Sequence, residues 1–291
     1  SALMSIIPAR VAGVKRIVAC SPPDDTKRCI HPATLVAMDI AGADEIYCMG
    51  GAQAIAALAY GTESILPVDI IVGPGNQWVT EAKRQVYGTT GIDFIAGPSE
   101  VLIIADETSN PRFIAADLLA QSEHDTEARG ILISTDNDII KEVLKYIEEF
   151  LQSLPTRKVA QHAWEANGEI YLVDSLKEAA KLSNKKAPEH LELHIQNPKE
   201  IISDLKNYGS LFEGSWGAEV FGDYVSGTNH ILPTMGASRY TGGVWVGTFL
   251  KVVSFQKINR KGAIELSPIA AKLAELEGLW AHKLAAELRK V

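Results

Sequence analysis

The sequence has few cysteines and no excess of positive charge, and each shortage excludes a class of protein. The three cysteines (Cys20, Cys29 and Cys48) lack Cys-x-x-Cys spacing, so we expect neither a disulfide framework nor a cysteine-built zinc site, and we expect a reducing, cytoplasmic compartment. The net charge of -8 argues against a nucleic-acid partner, which would select a basic face. No apolar run is long enough to cross a membrane, and we find no signal peptide.

The rest of the composition is that of a soluble, globular chain. Hydrophobic residues make up 46% and charged residues 22% of the 291 residues, which is enough for two compact domains. The opening Ser1–Met4 has no initiator methionine before it and leads into an apolar helical pattern that reaches Val11. We therefore expect the chain to begin inside a domain, at a truncation or processing point.

Short apolar runs alternate with helical patterns through most of the chain. The predicted strands are Arg16–Ala19, Glu45–Met49, Asp69–Val72, Val101–Ala105, Gly130–Ser134, Glu169–Val173, Leu191–Ile195 and Ser210–Phe212. The predicted helices are His31–Ala41, Ala52–Ala59, Trp78–Tyr87, Pro111–Glu123, Asp138–Leu151, Leu176–Leu182 and Pro198–Asn207. Such alternation indicates parallel sheets covered by helices. We predict an α/β fold with two Rossmann-like, three-layer α/β modules, residues 1–97 and 98–238.

The last part of the chain, residues 239–291, has a different pattern. Apolar residues recur at helical spacing through Ser267–Leu288, behind the Gly/Tyr/Trp-rich segment Tyr240–Phe249. A helix with one apolar face must bury that face, and an irregular arm followed by such a helix is a common means of dimerisation. We therefore predict a C-terminal helical dimerisation arm.

Two glycine-containing turns join a predicted strand to a predicted helix, at Met49–Gln53 and Val72–Asn76. Glycine lets a ligand approach the backbone, and the N-terminus of a helix offers free N–H groups, so such turns suit a pyrophosphate. Neither turn has the Gly-x-Gly-x-x-Gly pattern. The alternative interpretation is a pair of tight turns without a ligand.

Several polar residues are candidate metal ligands. Gln121 and His124 are spaced i, i+3 at the end of a predicted helix, so they share a face and can chelate one ion. Asp223 occupies a Gly-Asp-Tyr turn, and His282 lies among apolar residues of the terminal helix. Taken singly, each residue also fits a structural role in capping, turning or packing.

Glu189 and His190 form an adjacent acid–imidazole pair where a loop leads into an alternating strand. Catalytic side chains often occupy such positions in α/β enzymes, and the two groups can divide proton-transfer work. The alternative is an exposed loop pair. His194 falls on the same strand face as His190, and no role is assigned to it. His230 lies in a rigid polar loop that is close in sequence to Asp223.

Six segments, in order, resemble the signature blocks of the histidinol dehydrogenase family. They are GGAQAIAALAYGTES, GPGNQWVTEAKRQV, AGPSEVLIIAD, DLLAQSEHD, APEHLEL and GDYVSGTNHILPT, and together they extend over almost the whole chain. The resemblance implies two-step, NAD-dependent oxidation of a small polar primary alcohol, through its aldehyde, to the carboxylate, as in L-histidinol to L-histidine. It also implies a homodimer whose sites are completed in trans.

The resemblance implies a role for each candidate site residue. One catalytic Zn²⁺ per subunit would be held by Gln121, His124, Asp223 and, from the partner subunit, His282. Glu189 and His190 would form the acid/base pair, Ser99, His230 and Glu277 would contact substrate, and Gln53 and Asn76 would contact NAD. Residues 1–97 would then bind NAD, 98–238 zinc and substrate, and 239–291 the partner subunit.

Three features depart from the family pattern. Family members have a region before Ser1–Met4 with a nucleotide-contacting tyrosine, and the stretch between Val86 and Asp93 is shorter here. The segment Ala237–Gly247 is more similar to relatives that oxidise other small alcohols, such as a sulfonated propanediol. That alcohol is therefore an alternative substrate. A non-catalytic binding paralogue and a zinc hydrolase are alternatives of other classes.

Overall fold

The computed structural model describes residues 1–24 and 28–290. It divides into two compact units, the first covering Ser1–Leu250 and the second beginning at Lys251. The finer division of the chain at residues 97 and 238 stays a prediction. Among the described residues, no helix has both the length and the apolar composition that crossing a membrane requires.

In the described part of the chain, all the strands lie in the first unit and form parallel pairs. They are β1 (Val18–Ser21), β2 (Glu45–Cys48), β3 (Ile70–Ile71), β4 (Gly91–Ile92), β5 (Glu100–Ala105), β6 (Arg129–Ser134), β7 (Glu169–Leu172), β8 (His190–His194) and β9 (Ser210–Glu213). The last five form one sheet in the order β7-β6-β5-β8-β9. The chain therefore starts this sheet at its centre, builds to one edge and then returns to the other, as in a Rossmann half.

Helices cover both faces of the five-stranded sheet. The helices of the chain are α1 (Ala2–Val11), α2 (Pro32–Ala41), α3 (Gly51–Tyr60), α4 (Gln77–Val86), α5 (Pro111–Ser122), α6 (Asn137–Leu151), α7 (Arg157–Asn167), α8 (Leu176–Lys186), α9 (Glu219–Tyr224), α10 (Arg260–Leu276) and α11 (Trp280–Glu287). Helices α5, α6 and α7 pack on one face, and α8 packs on the other. Every residue of β5 is buried between them. The predicted α/β fold and its three-layer module are confirmed.

The first hundred residues form two small parallel pairs, β1 with β2 and β3 with β4. Residues of α1, α2 and β1 share one apolar cluster, and residues of α3, α4 and β3 share another. The predicted strands in this region are present, but the pairing partner of β3 was not predicted. Gly91–Ile92 is only two residues long, too short to give a pattern of alternating side chains.

The helix predicted at Pro198–Asn207 is wrong, because only Pro198–Glu200 forms a turn of 3₁₀ helix. Burial of Ile201 places this segment against the sheet. The backbone N–H groups of Lys206 and Asn207 then donate to Oδ1 of Asn184, at 2.7 and 3.2 Å. Tertiary hydrogen bonds thus replace those of a regular helix.

The terminal helix predicted at Ser267–Leu288 is two helices in the second unit. Gly278 has φ +72°, a left-handed conformation that suits glycine, and it separates α10 from α11. Both helices expose large apolar side chains, as does the preceding segment. These include Val252, Phe255, Ile258, Ile269, Leu273, Leu276, Trp280, Leu284 and Leu288. The amphipathic character of the arm is present, and its role in dimerisation stays a prediction.

The centre of the sheet supplies a test of the core. Ile103, in the middle of β5, is fully buried, so we expect Ile103→Ala to lower the free energy of unfolding by about 2–5 kcal/mol through lost burial and cavity formation. The matched control is Leu172→Ala on edge strand β7, where the side chain is 57% exposed and a change within about 0.5 kcal/mol is expected. Denaturant unfolding followed by circular dichroism measures both, and equal losses would contradict this description of the core.

Candidate active site

The candidate site lies at the amino ends of the two central strands, β5 and β8. Ser99 directly precedes β5, Glu189 directly precedes β8, and His190 is the first residue of β8, paired with Val101. The sequence correctly predicts Glu189 and His190 at the start of a strand. Ligands of open α/β sheets usually bind at the carboxyl ends of the strands, so this site occupies the opposite edge.

Two neighbouring segments fix the backbone around Glu189. Its carbonyl accepts from the N–H of Ser210 at 2.8 Å, and the carbonyl of Pro188 accepts from the N–H of Gly209 at 3.0 Å and from the hydroxyl of Ser238 at 2.9 Å. A Cβ on Gly209 would lie 2.6 Å from the Glu189 carbonyl oxygen. Glycine is therefore required at 209 for this close approach.

The carboxyl group of Glu189 is buried and hydrogen-bonded. One oxygen accepts from the N–H of Glu100 at 3.0 Å, and the Ser99 hydroxyl also contacts the carboxylate. Burial, together with the nearby Glu100 carboxylate, raises the pKa of Glu189 well above its ordinary value. A carboxyl group in such surroundings holds a proton more readily than a solvated one, which suits an acid/base residue.

His190 presents one ring nitrogen as a base. Its Nδ1 lies 3.2 Å from the carbonyl oxygen of Glu100, so Nδ1–H donates there and Nε2 carries the lone pair. Within residues 1–24 and 28–290, Nε2 is buried without a hydrogen-bond partner. Burial lowers the pKa of His190 to about 4. The imidazole is therefore neutral at pH 7 and able to accept a proton.

Helices α5 and α9 bring four polar side chains together beside this pair. Gln121 lies in the last turn of α5 and His124 follows its end. Glu219 and Asp223 are spaced i, i+4 on α9 and therefore share a face. The ligand atoms of His124, Glu219 and Asp223 all lie within 4.8 Å of one another. The amide group of Gln121 contacts the Glu219 carboxylate at 2.6 Å.

Asp223 lies in a short helix, so the predicted Gly-Asp-Tyr turn is wrong. The N–H of Glu219 at the start of α9 donates to Oε1 of Glu192 at 2.8 Å, and this carboxylate satisfies a free helix donor. Gly222 allows α9 to lie against β9, because a Cβ there would be 2.8 Å from the ring of Phe212. Contacts with the sheet thus stabilise a helix of six residues.

A buried polar network under the site was not predicted. His190, Glu192 and His194 alternate along β8 onto the face covered by α5, and all three are buried. Nε2 of His194 lies 3.2 Å from Glu192 and 3.7 Å from Asp117 of α5. Burial, reinforced by Glu192, raises the pKa of Asp117 to about 8. The sequence contained a signal for this network: polar residues alternate along β8, and both faces of a central parallel strand are buried.

The other predicted substrate contacts, His230 and Glu277, and the fourth predicted metal ligand, His282, do not all lie in the same unit. The ring of His230 faces the backbone carbonyls of Gly222 and Asp223, and burial lowers its pKa. His230 therefore lies beside α9 in the first unit. Glu277 and His282 are exposed residues of the second unit. Glu277 caps the end of α10, and His282 lies within α11. Their roles stay predictions.

The two glycine turns precede helices, as predicted. Gly50 precedes α3, on which Gln53 is exposed, and Asn76 precedes α4. Oδ1 of Asn76 accepts from the N–H groups of Trp78 and Val79 at 3.1 and 3.2 Å. Asn76 is therefore a helix cap whose amide NH₂ stays available.

A buried ion pair braces the second glycine turn. Lys83 on α4 pairs with Asp93, and both side chains are almost fully buried. The Lys83 ammonium group also donates to the Gly73 carbonyl at 2.9 Å, while the Gly73 N–H donates to Asp93 at 2.8 Å. These bonds fix the backbone at the start of the turn, just before the N-terminus of α4.

The α/β fold places a neutral imidazole base and a buried carboxyl group beside nitrogen and oxygen ligand candidates, an arrangement suited to metal-assisted acid–base chemistry. The sequence model of the family described as histidinol dehydrogenase matches residues 1–290. The chain belongs to the histidinol dehydrogenase family, whose members are oxidoreductases.

Individual relatives agree with this assignment. Histidinol dehydrogenase of Bacillus cereus is 50% identical over 99% of this chain and 67% of its own length. A histidinol dehydrogenase homologue of Shouchella clausii is 49% identical over 99% and 68%. The crystal structure of histidinol dehydrogenase from Elizabethkingia anophelis superposes with TM-score 0.92 and 43% identity, over 99% of this chain and 67% of that one. The chain thus spans about two thirds of these relatives.

Proposed function

We propose that the protein oxidises L-histidinol to L-histidine through the aldehyde, with NAD as hydride acceptor and one Zn²⁺ per subunit. The observation that carries the proposal is the unpartnered Nε2 of His190, on a ring whose Nδ1 lies 3.6 Å from Glu219, a member of the cluster with His124 and Asp223. Family membership supports histidinol as the substrate, because the curated relatives described above are named for it.

The chemistry of the ligand candidates suits zinc. Gln121, His124 and Asp223 offer one nitrogen and two oxygen donors, and His282 of the partner subunit would add a second nitrogen. Two carboxylates, Glu219 and Asp223, lie beside His124, and buried or crowded carboxylates are stabilised by a cation. When bound, the zinc would fix the heteroatoms of the substrate and hold its carbinol carbon in place.

The glycine turns suit a dinucleotide. The N-terminus of α4 offers backbone N–H groups behind a turn that Lys83 and Asp93 hold in place, and anions bind well at helix N-termini. Gln53 and Asn76 are exposed at the starts of α3 and α4. Both side chains would contact the cofactor, which supplies the hydride acceptor.

The acid/base residues would divide the proton transfers. Nε2 of His190 would take the hydroxyl proton as hydride leaves the carbinol carbon, because the ring is neutral and its Nδ1 is already engaged. Glu189 would accept a proton from the water that hydrates the aldehyde, so that a second hydride can leave. Ser99 contacts the Glu189 carboxylate and would help to place it.

An alcohol panel tests the proposed reaction. The full-length gene product, with zinc and NAD, would be offered histidinol and sulfopropanediol, and NADH absorbance would be recorded. We expect NADH with histidinol at a kcat/KM well above that for sulfopropanediol. A preference for the sulfonated alcohol would contradict the substrate assignment, and no NADH with either alcohol would favour the non-catalytic or hydrolytic alternatives.

We further propose a homodimer whose active sites are completed in trans. The second unit exposes apolar side chains along α10 and α11, and a helix with one apolar face must bury it. The segment before α10, from Lys251 to Asn259, has neither helix nor strand and is exposed throughout. A two-fold exchange of this arm would give each subunit the same arrangement.

Mixing two inactive variants tests the trans arrangement. His282→Ala and His124→Ala subunits should each be inactive alone but regain activity when exchanged by refolding or co-expression, because one site of each mixed dimer carries both lesions and the other carries none. Roughly a quarter of all sites should be intact after random pairing. Mixed dimers that form and stay inactive would show that His282 is not a ligand in trans.

A further inference from the structure

Glu219 is a buried acid beside the proposed zinc ligands, and the family resemblance assigns it no role. It is 6% exposed, and among the described residues no lysine or arginine forms an ion pair with it. The nearest imidazole nitrogen is Nδ1 of the neutral His190 ring, at 3.6 Å. An unpaired carboxylate is costly to bury, so its retention requires a specific set of contacts.

Those contacts are with the side chain of Gln121. When the amide nitrogen of Gln121 faces Glu219, it lies 2.6 Å from both carboxylate oxygens and donates to them. In the opposite orientation, the amide oxygen would face the two oxygens of the ionised carboxylate without any hydrogen between them. Gln121 is fully buried, so water cannot compensate for the wrong orientation.

The orientation of the Gln121 amide decides whether it can bind a cation. Only the amide oxygen has a lone pair suitable for a metal ion, since the amide nitrogen is a donor. With the nitrogen held by Glu219, the oxygen is turned away from the carboxylate.

The sheet holds Glu219 in place. Its backbone N–H donates to Oε1 of Glu192 at 2.8 Å, and Oε2 of Glu192 lies 3.2 Å from Nε2 of His194. Glu192 is fully buried and His194 is almost so. The position of Glu219 is therefore determined by the strand that also bears His190.

We propose that Glu219 is a positioning residue that holds the Gln121 amide by its nitrogen and so leaves the amide oxygen free to bind the zinc, a role that rests on the zinc site proposed above. The carboxylate acts through Gln121 and is not itself a zinc ligand. Partners that orient metal ligands in this way typically contribute about 10–100-fold to metal affinity.

Zinc affinity of three variants tests this role. Competition with a chromophoric chelator, using Zn²⁺ alone as the probe, would compare the unaltered protein with Glu219→Gln, with Gln121→Glu/Glu219→Gln, and with Glu213→Gln as an exposed matched control. Glu219→Gln should bind zinc about 10–100-fold more weakly, because an amide at 219 no longer dictates the orientation at 121. The exchange variant should recover most of that loss, since its amide again donates to a carboxylate that is free to bind zinc.

Each other outcome would overturn the role of Glu219. Unchanged zinc affinity in Glu219→Gln would show that the Gln121 amide does not need Glu219 to orient it. Weak binding in both folded variants would show that Glu219 is itself a ligand, because exchanging the two groups would not restore it. If circular dichroism shows that Glu219→Gln does not fold, the exchange variant alone tests the role of Glu219. The proposal then requires that this variant bind zinc within about 10-fold of the unaltered protein. Failure of the unaltered protein to bind zinc would overturn the zinc site as well.

Discussion

Replacing His190 with alanine is expected to slow the oxidation of both histidinol and its aldehyde by about 10²–10⁴-fold, the usual contribution of a general base. The ring is buried, neutral at pH 7 and anchored through Nδ1 to the Glu100 carbonyl. Steady-state NADH formation from each substrate measures the loss.

Glu189→Gln separates the two steps, because we assign this carboxyl group to the hydration of the aldehyde. It should impair aldehyde oxidation much more than the first oxidation of histidinol. His162→Ala on α7, an exposed histidine, is the control and should keep both rates. Equal losses for alcohol and aldehyde in Glu189→Gln would contradict the proposed division between Glu189 and His190.

Replacing His124 with alanine is expected to remove zinc and with it most of the activity, while the fold is retained. His124 is exposed at the end of α5 and takes no part in the apolar clusters of the sheet, so its loss leaves the core intact. We expect zinc affinity to fall by at least about 100-fold, because even outer partners of metal ligands contribute about 10–100-fold.

Metal analysis after dialysis, together with circular dichroism, measures this effect. Glu127→Ala, an exposed change just beyond His124, is the matched control and should keep one zinc per subunit. Undiminished zinc in His124→Ala would remove this residue from the ligand set. Loss of the folded state would instead show that His124 has a structural role, contrary to its exposure.

The sequence predicts most of the fold because its strongest signals are local. Each strand of the five-stranded sheet is either a continuous apolar run, as in β5, or an alternating one, as in β8. Helix α9 and strand β4 were missed, and Pro198–Asn207 was assigned to a helix that is absent. In each case the pattern was weak or short, and contacts distant in sequence, such as those of Asn184, determine the conformation.

The candidate site could be predicted only in part. The i, i+3 spacing pairs Gln121 with His124, and no spacing indicates that Asp223 and the Glu189–His190 pair converge on them. Their convergence depends on α5 and α9 meeting over one face of the sheet. Glu192 and Glu219 act through buried hydrogen bonds. In the sequence alone, a glutamate is normally interpreted as a solvated surface charge, so these two residues were not singled out.

The measurement that tests the central claim most directly is the stoichiometry of the reaction. The zinc-loaded, full-length gene product would be given a limiting amount of L-histidinol with excess NAD, and NADH and the product would be quantified. We predict two NADH and one L-histidine for each histidinol consumed, because each of the two oxidation steps transfers one hydride. One NADH with accumulation of the aldehyde, or no NADH at all, would contradict it.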